Sequence, residues 1–87
     1  MKIVAEEIEA LVWFRGRGKP SPYRFRYRER DGSLRVVSIG QVLSAEEEKI
    51  AGVRSYLYRC QSEIGGAIVP YELKYYIQEC RWVLYKM

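Results

Sequence analysis

The sequence predicts a mainly β domain, a small antiparallel barrel or strongly curled sheet of about six strands with one short helix near 45–51. Three observations carry this expectation. Tyr23–Arg30 alternates ring and arginine at the period of two that marks a strand, and it runs into Asp31-Gly32. Two more alternating apolar runs flank Gly65-Gly66. Eight tyrosines in 87 residues favour pleated, half-buried surfaces.

A chain of 87 residues fits one domain, 1–87. It buries only about 60–65% of its unfolded surface, which leaves little core to spare for a deep enclosed site.

The first stretch, "IVAEEIEALVWFR", fits two patterns. Val4, Ile8, Leu11 and Val12 share a helix face, while Ile8, Ala10, Val12 and Phe14 alternate as a strand does. Because the later segments are β, a strand over roughly 8–15 is expected. Residues 16–22, "GRGKPSP", form a loop punctuated by two glycines and two prolines.

For the next hairpin, a two-residue bend at Asp31-Gly32 sets Arg28 against Arg35, Tyr27 against Val36, Arg26 against Val37 and Arg24 against Ile39. Phe25, Tyr27, Leu34 and Val36 then face the core, and the arginines lie outside over Val37 and Ile39. "SAEEEKIAG", 44–52, reads as a short helix: Ser44 and Glu47 form a capping box, acids crowd the positive end, and Gly52 stops it.

Closing the last third at Gly65-Gly66 pairs Tyr58 with Leu73, Tyr56 with Tyr75, Cys60 with Tyr71 and Arg59 with Glu72. A further turn near Gln78-Glu79 sets Trp82 beside Tyr75 and Leu84 beside Leu73. Tyr56, Tyr58, Leu73, Tyr75, Ile77, Trp82 and Leu84 thereby share one inner face. Hairpins in succession around such a face describe a barrel of the SH3-like or OB-like kind.

With no histidine, the chain has no Ser-His or Cys-His nucleophile pair and no His-bearing zinc site. The registers above put Cys60 and Cys80 roughly 20 Å apart, well beyond the ~4.4–6.8 Å that a disulfide spans, so two free and largely buried thiols are expected. Glu46, Glu47 and Glu48 read as solvated helix-end charges rather than cation ligands. "GRGKP" lacks the spacing of a phosphate loop. A non-enzymatic protein without cofactors is the expectation.

Neither a leader peptide nor an apolar run of membrane-spanning length is expected, which with the unpatterned cysteines favours a cytoplasmic setting and no membrane contact.

What remains is charge. Residues 15–35 carry Arg15, Arg17, Lys19, Arg24, Arg26, Arg28, Arg30 and Arg35 against Glu29 and Asp31, a local +6 in a chain of net charge +4. The plain account is a solvated face whose arginine stems cover apolar neighbours and whose heads Glu7 or Glu9 neutralise. The functional account gives Arg15, Arg17, Lys19, Arg24, Arg26, Arg28 and Arg35 to a nucleic-acid backbone, with Tyr76 and Tyr85 on the outer face as stacking rings. It is favoured by Arg28 standing opposite Arg35, a repulsion that an anion laid over both would relieve. An acidic protein surface would serve the stripe equally well, and an Arg- and Tyr-rich face also suits an interaction module or a homodimer.

"PYRFRYRERDGSLRVV", residues 22–37, resembles the strand–turn–strand opening of WYL-type domains, small SH3-like barrels of bacterial regulators. That resemblance implies nucleic-acid or nucleotide binding; the Trp-Tyr-Leu signature itself does not occur in the chain. The whole chain, with "YRCQS" and "YELKYY", is similar to a group of short bacterial proteins of no assigned activity.

Overall fold

In the computed structural model, which describes all of residues 1–87, seven strands follow one another with no helix. They are β1 (Ile3–Trp13), β2 (Ser21–Arg28), β3 (Leu34–Ser38), β4 (Gln41–Ile50), β5 (Val53–Ile64), β6 (Ala67–Tyr76) and β7 (Arg81–Lys86). Every pairing is antiparallel, in the order β3-β2-β1-β7-β6-β5-β4. β1 serves two neighbours: Ile3, Glu6, Glu7 and Ile8 pair with β7, and Glu9 to Trp13 pair with β2. The sheet turns its corner there.

The sheet is a curled half-barrel. β3 and β4 lie at opposite ends of the strand order, yet only Ile39 and Gly40 join them, so the sheet must curl to bring its two edges together. Gly40 sits where they meet. Its N–H donates to Ser62 Oγ at 3.1 Å, and a Cβ there would lie 3.1 Å from the Gln61 carbonyl oxygen. The buried hydroxyls of Ser62 and Tyr71, 2.6 Å apart, continue this seam inward.

The concave face holds the core, made of Ile8, Phe25, Val37, Tyr58, Cys60, Tyr71, Leu73, Tyr75, Trp82 and Leu84. Rings make up half of it. Tyr75 and Trp82 pack at 4.8 Å, Tyr58 and Trp82 at 5.3 Å, and Phe25 and Tyr71 at 5.3 Å, separations at which aromatic pairs add to simple area burial.

The β5–β6 and β6–β7 registers are those the sequence predicts, including Tyr58 with Leu73, Arg59 with Glu72 and Tyr75 with Trp82. The Gly65-Gly66 bend has φ of 60° and 82°, as a two-residue bend matched to the twist of its strands requires.

Three expectations are corrected, the first being the strand number, seven where about six were expected. The predicted helix at 44–52 is instead β4 and its turn: Ala51 and Gly52 take φ of 51° and 82° and set Ile50 against Val53. The acids that read as helix caps have cross-strand partners. Glu46 meets Arg59 at 2.6 Å, Glu47 meets Arg54 at 2.9 Å, and Glu48 meets the buried Lys74 at 3.4 Å. Tertiary pairing thus overrides a local helical preference. The first strand also begins earlier than residue 8, at Ile3, past a kink at Ala5 whose φ is 50°.

Cys60 is buried and Cys80 exposed, both as free thiols, so the expectation that both are largely buried holds for Cys60 alone. Cys80 lies in the β6–β7 turn with φ 53°, outside the sheet's buried face.

Candidate nucleic-acid interface

The arginine hairpin closes one residue away from its predicted register. Glu29 N–H donates to the Ser33 carbonyl at 2.7 Å and Gly32 N–H to the Glu29 carbonyl at 2.9 Å, leaving Arg30, Asp31 and Gly32 as a three-residue loop. Gly32 alone takes a positive φ, 90°, in the left-handed bulge position of such loops. The Asp31 carboxylate accepts from the Ser33 N–H at 2.9 Å and from its hydroxyl at 2.6 Å, which fixes the tip and holds the carboxyl below its usual range.

A one-residue slip sends every side chain of a strand to the other face. Arg28 therefore faces Leu34, Arg26 faces Val36, and Arg24 faces Ser38, while Arg35 faces Tyr27 on the concave side. Leu34 and Val36, predicted as core, are exposed; Val37, predicted to lie beneath the arginines, is buried. The opposition of Arg28 and Arg35 does not exist. Arg35 instead binds Glu29, which raises its pKa through that hydrogen bond first and through charge second.

The stripe is further divided by Glu9. Paired with Arg26 across β1 and β2, it holds the guanidinium through Nε at 2.7 Å and Nη2 at 2.6 Å. Glu7, the other acid expected there, lies 3.7 Å from Arg81 instead. Arg28 Nη1 donates to the Gly32 carbonyl at 2.8 Å, within its own hairpin. Of the seven residues predicted to bind, Arg26 and Arg35 are thus matched internally. Arg15, Arg17, Lys19, Arg24 and Arg28 have no carboxylate within ion-pair distance.

Four of these five gather at one end of the sheet. Arg15, Arg17 and Lys19 lie on the loop between β1 and β2, and Arg24 on the β2 face next to Leu11. This loop is anchored. The Tyr58 hydroxyl, inside the core, donates to the Pro20 carbonyl, and desolvation pushes that hydroxyl well above the ordinary tyrosine range. Lys19 leans over the Tyr56 ring, 5.7 Å from its centroid. Phe14 sets its edge against Tyr75 at 6.1 Å.

The predicted stacking rings are not free. Lys74 Nζ sits 3.9 Å from the Tyr85 centroid and Arg81 lies 4.8 Å from that of Tyr76, and both tyrosines are half-buried. The most exposed rings are elsewhere: Phe14 at 62%, Trp13 at 61% and Tyr23 at 48%, all flanking the basic loop. Trp13 was legible, since Ile8, Ala10 and Val12 point inward and the odd positions must point out. Tyr23 was not, because it occupies a register shift between the Leu11–Arg24 and Val12–Pro22 pairs. Between β1, β2 and β3 the outer face carries a shallow groove lined by Glu9, Leu11, Arg24, Arg26 and Val36.

Fold and site together define a small all-β domain, a curled antiparallel half-barrel with a cationic, aromatic corner where its first strand turns into its second. Set against models of protein families, curated proteins and solved structures, the chain matches none.

Proposed function

We propose that the protein is a non-catalytic binding domain that holds nucleic acid at the corner between β1 and β2, as SH3-like and OB-like barrels present a curved sheet to such ligands. The observation that carries this reading is the set Arg15, Arg17, Lys19 and Arg24, none within ion-pair distance of a carboxylate, on the loop and strand that exposed Trp13 and Tyr23 flank. Cations left without internal counter-ions favour an anionic ligand, and arginine adds planar two-point contact with phosphate. The resemblance of residues 22–37 to the WYL-type hairpin points the same way. Arg28 contributes from the hairpin tip; Arg26 and Arg35 contribute less, because their charge is already matched.

Titration of the protein with oligonucleotides at low salt tests the reading. Neutralising about four phosphates gives a slope of log K against log[salt] of roughly −3 to −4. Replacing Arg15, Arg17 and Arg24 together by Gln should remove most of that slope without unfolding the domain. Absence of binding at low salt sinks the proposal.

A second reading, an acidic protein partner or a second copy of this chain, is favoured by one observation. Leu11, Leu34 and Val36 are exposed on the same outer face as Arg24 and Arg26. Apolar side chains between arginines suit a protein contact. It predicts a shallower salt dependence and a loss of binding on Val36→Asp.

A further inference from the structure

The geometry points to single-stranded nucleic acid as the ligand class, with an unpaired base stacked on Trp13; this rests on the nucleic-acid reading above and narrows it.

Trp13 ends β1 on the outer face, and its cross-strand partner is Ser21. A serine is too short to cover an indole. The ring therefore stays 61% exposed, with the Arg15 guanidinium 5.9 Å from its centroid. The other large side chains of the corner have work within the fold. Phe14 sets its edge against Tyr75 while staying 62% exposed, and Tyr56 stacks with Tyr75 beneath Lys19. Trp82, the only other tryptophan, lies in the core. Trp13 is the exposed ring that has a cation, Arg15, beside it and no ring packed against it.

A duplex keeps its base faces stacked inside and shows a protein its phosphates and groove edges. It has no ring face to offer Trp13. A single strand has both parts, phosphates for Arg15, Arg17 and Arg24, and a splayed base whose face matches an indole, as aromatic platforms in cationic grooves use them. The outer face bulges away from the core, so an extended, flexible strand can follow it.

Titrating the unmodified protein with short oligothymidylate, with a duplex of the same length, and with polyglutamate separates the possibilities. Only Trp13 is open to a ligand, so its emission reports contact while the buried Trp82 does not. The expected result is quenching by the single strand, weaker binding of the duplex, and a loss of single-strand affinity of roughly 5- to 100-fold in Trp13→Ala. Near-ultraviolet dichroism of Trp82 certifies that this variant is folded.

Equal affinity for duplex and single strand, with Trp13→Ala within twofold of the parent, overturns the inference and leaves nucleic-acid binding standing. Polyglutamate that quenches Trp13 as strongly as the oligonucleotide overturns it in favour of an acidic protein. Failure of both nucleic acids to bind overturns this inference and the broader reading together.

Discussion

Tyr58 and Pro20 are 38 residues apart in sequence, yet the Tyr58 hydroxyl donates to the Pro20 carbonyl inside the barrel. Through that bond the core holds the far end of the loop that carries Arg15, Arg17 and Lys19. Fixing a basic loop before it meets a ligand lowers the entropy lost on binding. Tyr58→Phe keeps the ring and removes the bond. It should lower unfolding free energy by about 1–3 kcal/mol, since the Pro20 carbonyl is left without its donor. The same variant should be cut faster by trypsin at Arg15 or Arg17, each of which precedes a glycine, read by mass spectrometry. Equal cleavage in parent and variant would show that the loop is held by something else.

Glu9 silences Arg26. Replacing Glu9 by Gln frees one guanidinium on the outer face and should tighten polyanion binding, steepening the salt slope by about 0.7–0.9. The effect on stability should be slight, about 0–1 kcal/mol, because the pair is exposed. Arg26→Gln should weaken binding less than Arg24→Gln does. Salt titrations of the three variants check the ordering, and the reverse order would contradict the placement of the site.

Alkali should unfold the protein through its buried hydroxyls and thiol. Burial pushes Tyr71 up to about 12 from 10.0, against an opposing hydrogen bond from Ser62, and pushes Cys60 up to about 12 from 9.0. Tyr58 is raised as well, by desolvation first. These groups are raised in the folded state, so their contribution is fully present below the unfolded pKa values near 9.0 and 10.0. It falls away as pH rises through that region toward about 12. Absorbance at the tyrosinate band should show Tyr58 and Tyr71 ionising only as the fold is lost. Ser62→Ala, which strips a partner from Tyr71 and from Gly40, should cost about 1–3 kcal/mol at neutral pH.

The thiols should separate cleanly. In the folded protein a maleimide should label Cys80, which is exposed, and leave Cys60, which is buried with its pKa raised by desolvation. Denaturation should expose both. Rapid labelling of Cys60 in the native state would mean that β5 opens readily, at odds with its place between β4 and β6.

The hairpins of the C-terminal half were readable from the chain because each is closed locally and checked many times over. Gly65-Gly66 leaves one tight bend, and sliding β5 by one residue would turn Tyr56, Tyr58 and Cys60 out to water. Of the inner face read from the sequence, Tyr58, Leu73, Tyr75, Trp82 and Leu84 lie in the core, and Tyr56 and Ile77 pack partly buried against it. By contrast, Asp31-Gly32 fits two loops of nearly equal quality, one of two residues and one of three. Local chemistry does not choose between them. Burial does: the longer loop puts Val37 in the core beside Phe25, pairs Arg35 with Glu29, and removes the clash of Arg28 with Arg35.

The same holds for "SAEEEK", whose residues prefer a helix in isolation and become a strand because Arg54, Arg59 and Lys74 wait on β5 and β6. Which cations are left over for a ligand is likewise a matter of distant neighbours, since Glu9 reaches Arg26 only when β1 folds back on β2. Alternation, turn chemistry and excess positive charge are properties of adjacent residues and can be read along the chain. Register at an ambiguous bend and the matching of charges depend on energies that exist only once remote strands are side by side, and those the folded sheet alone decides.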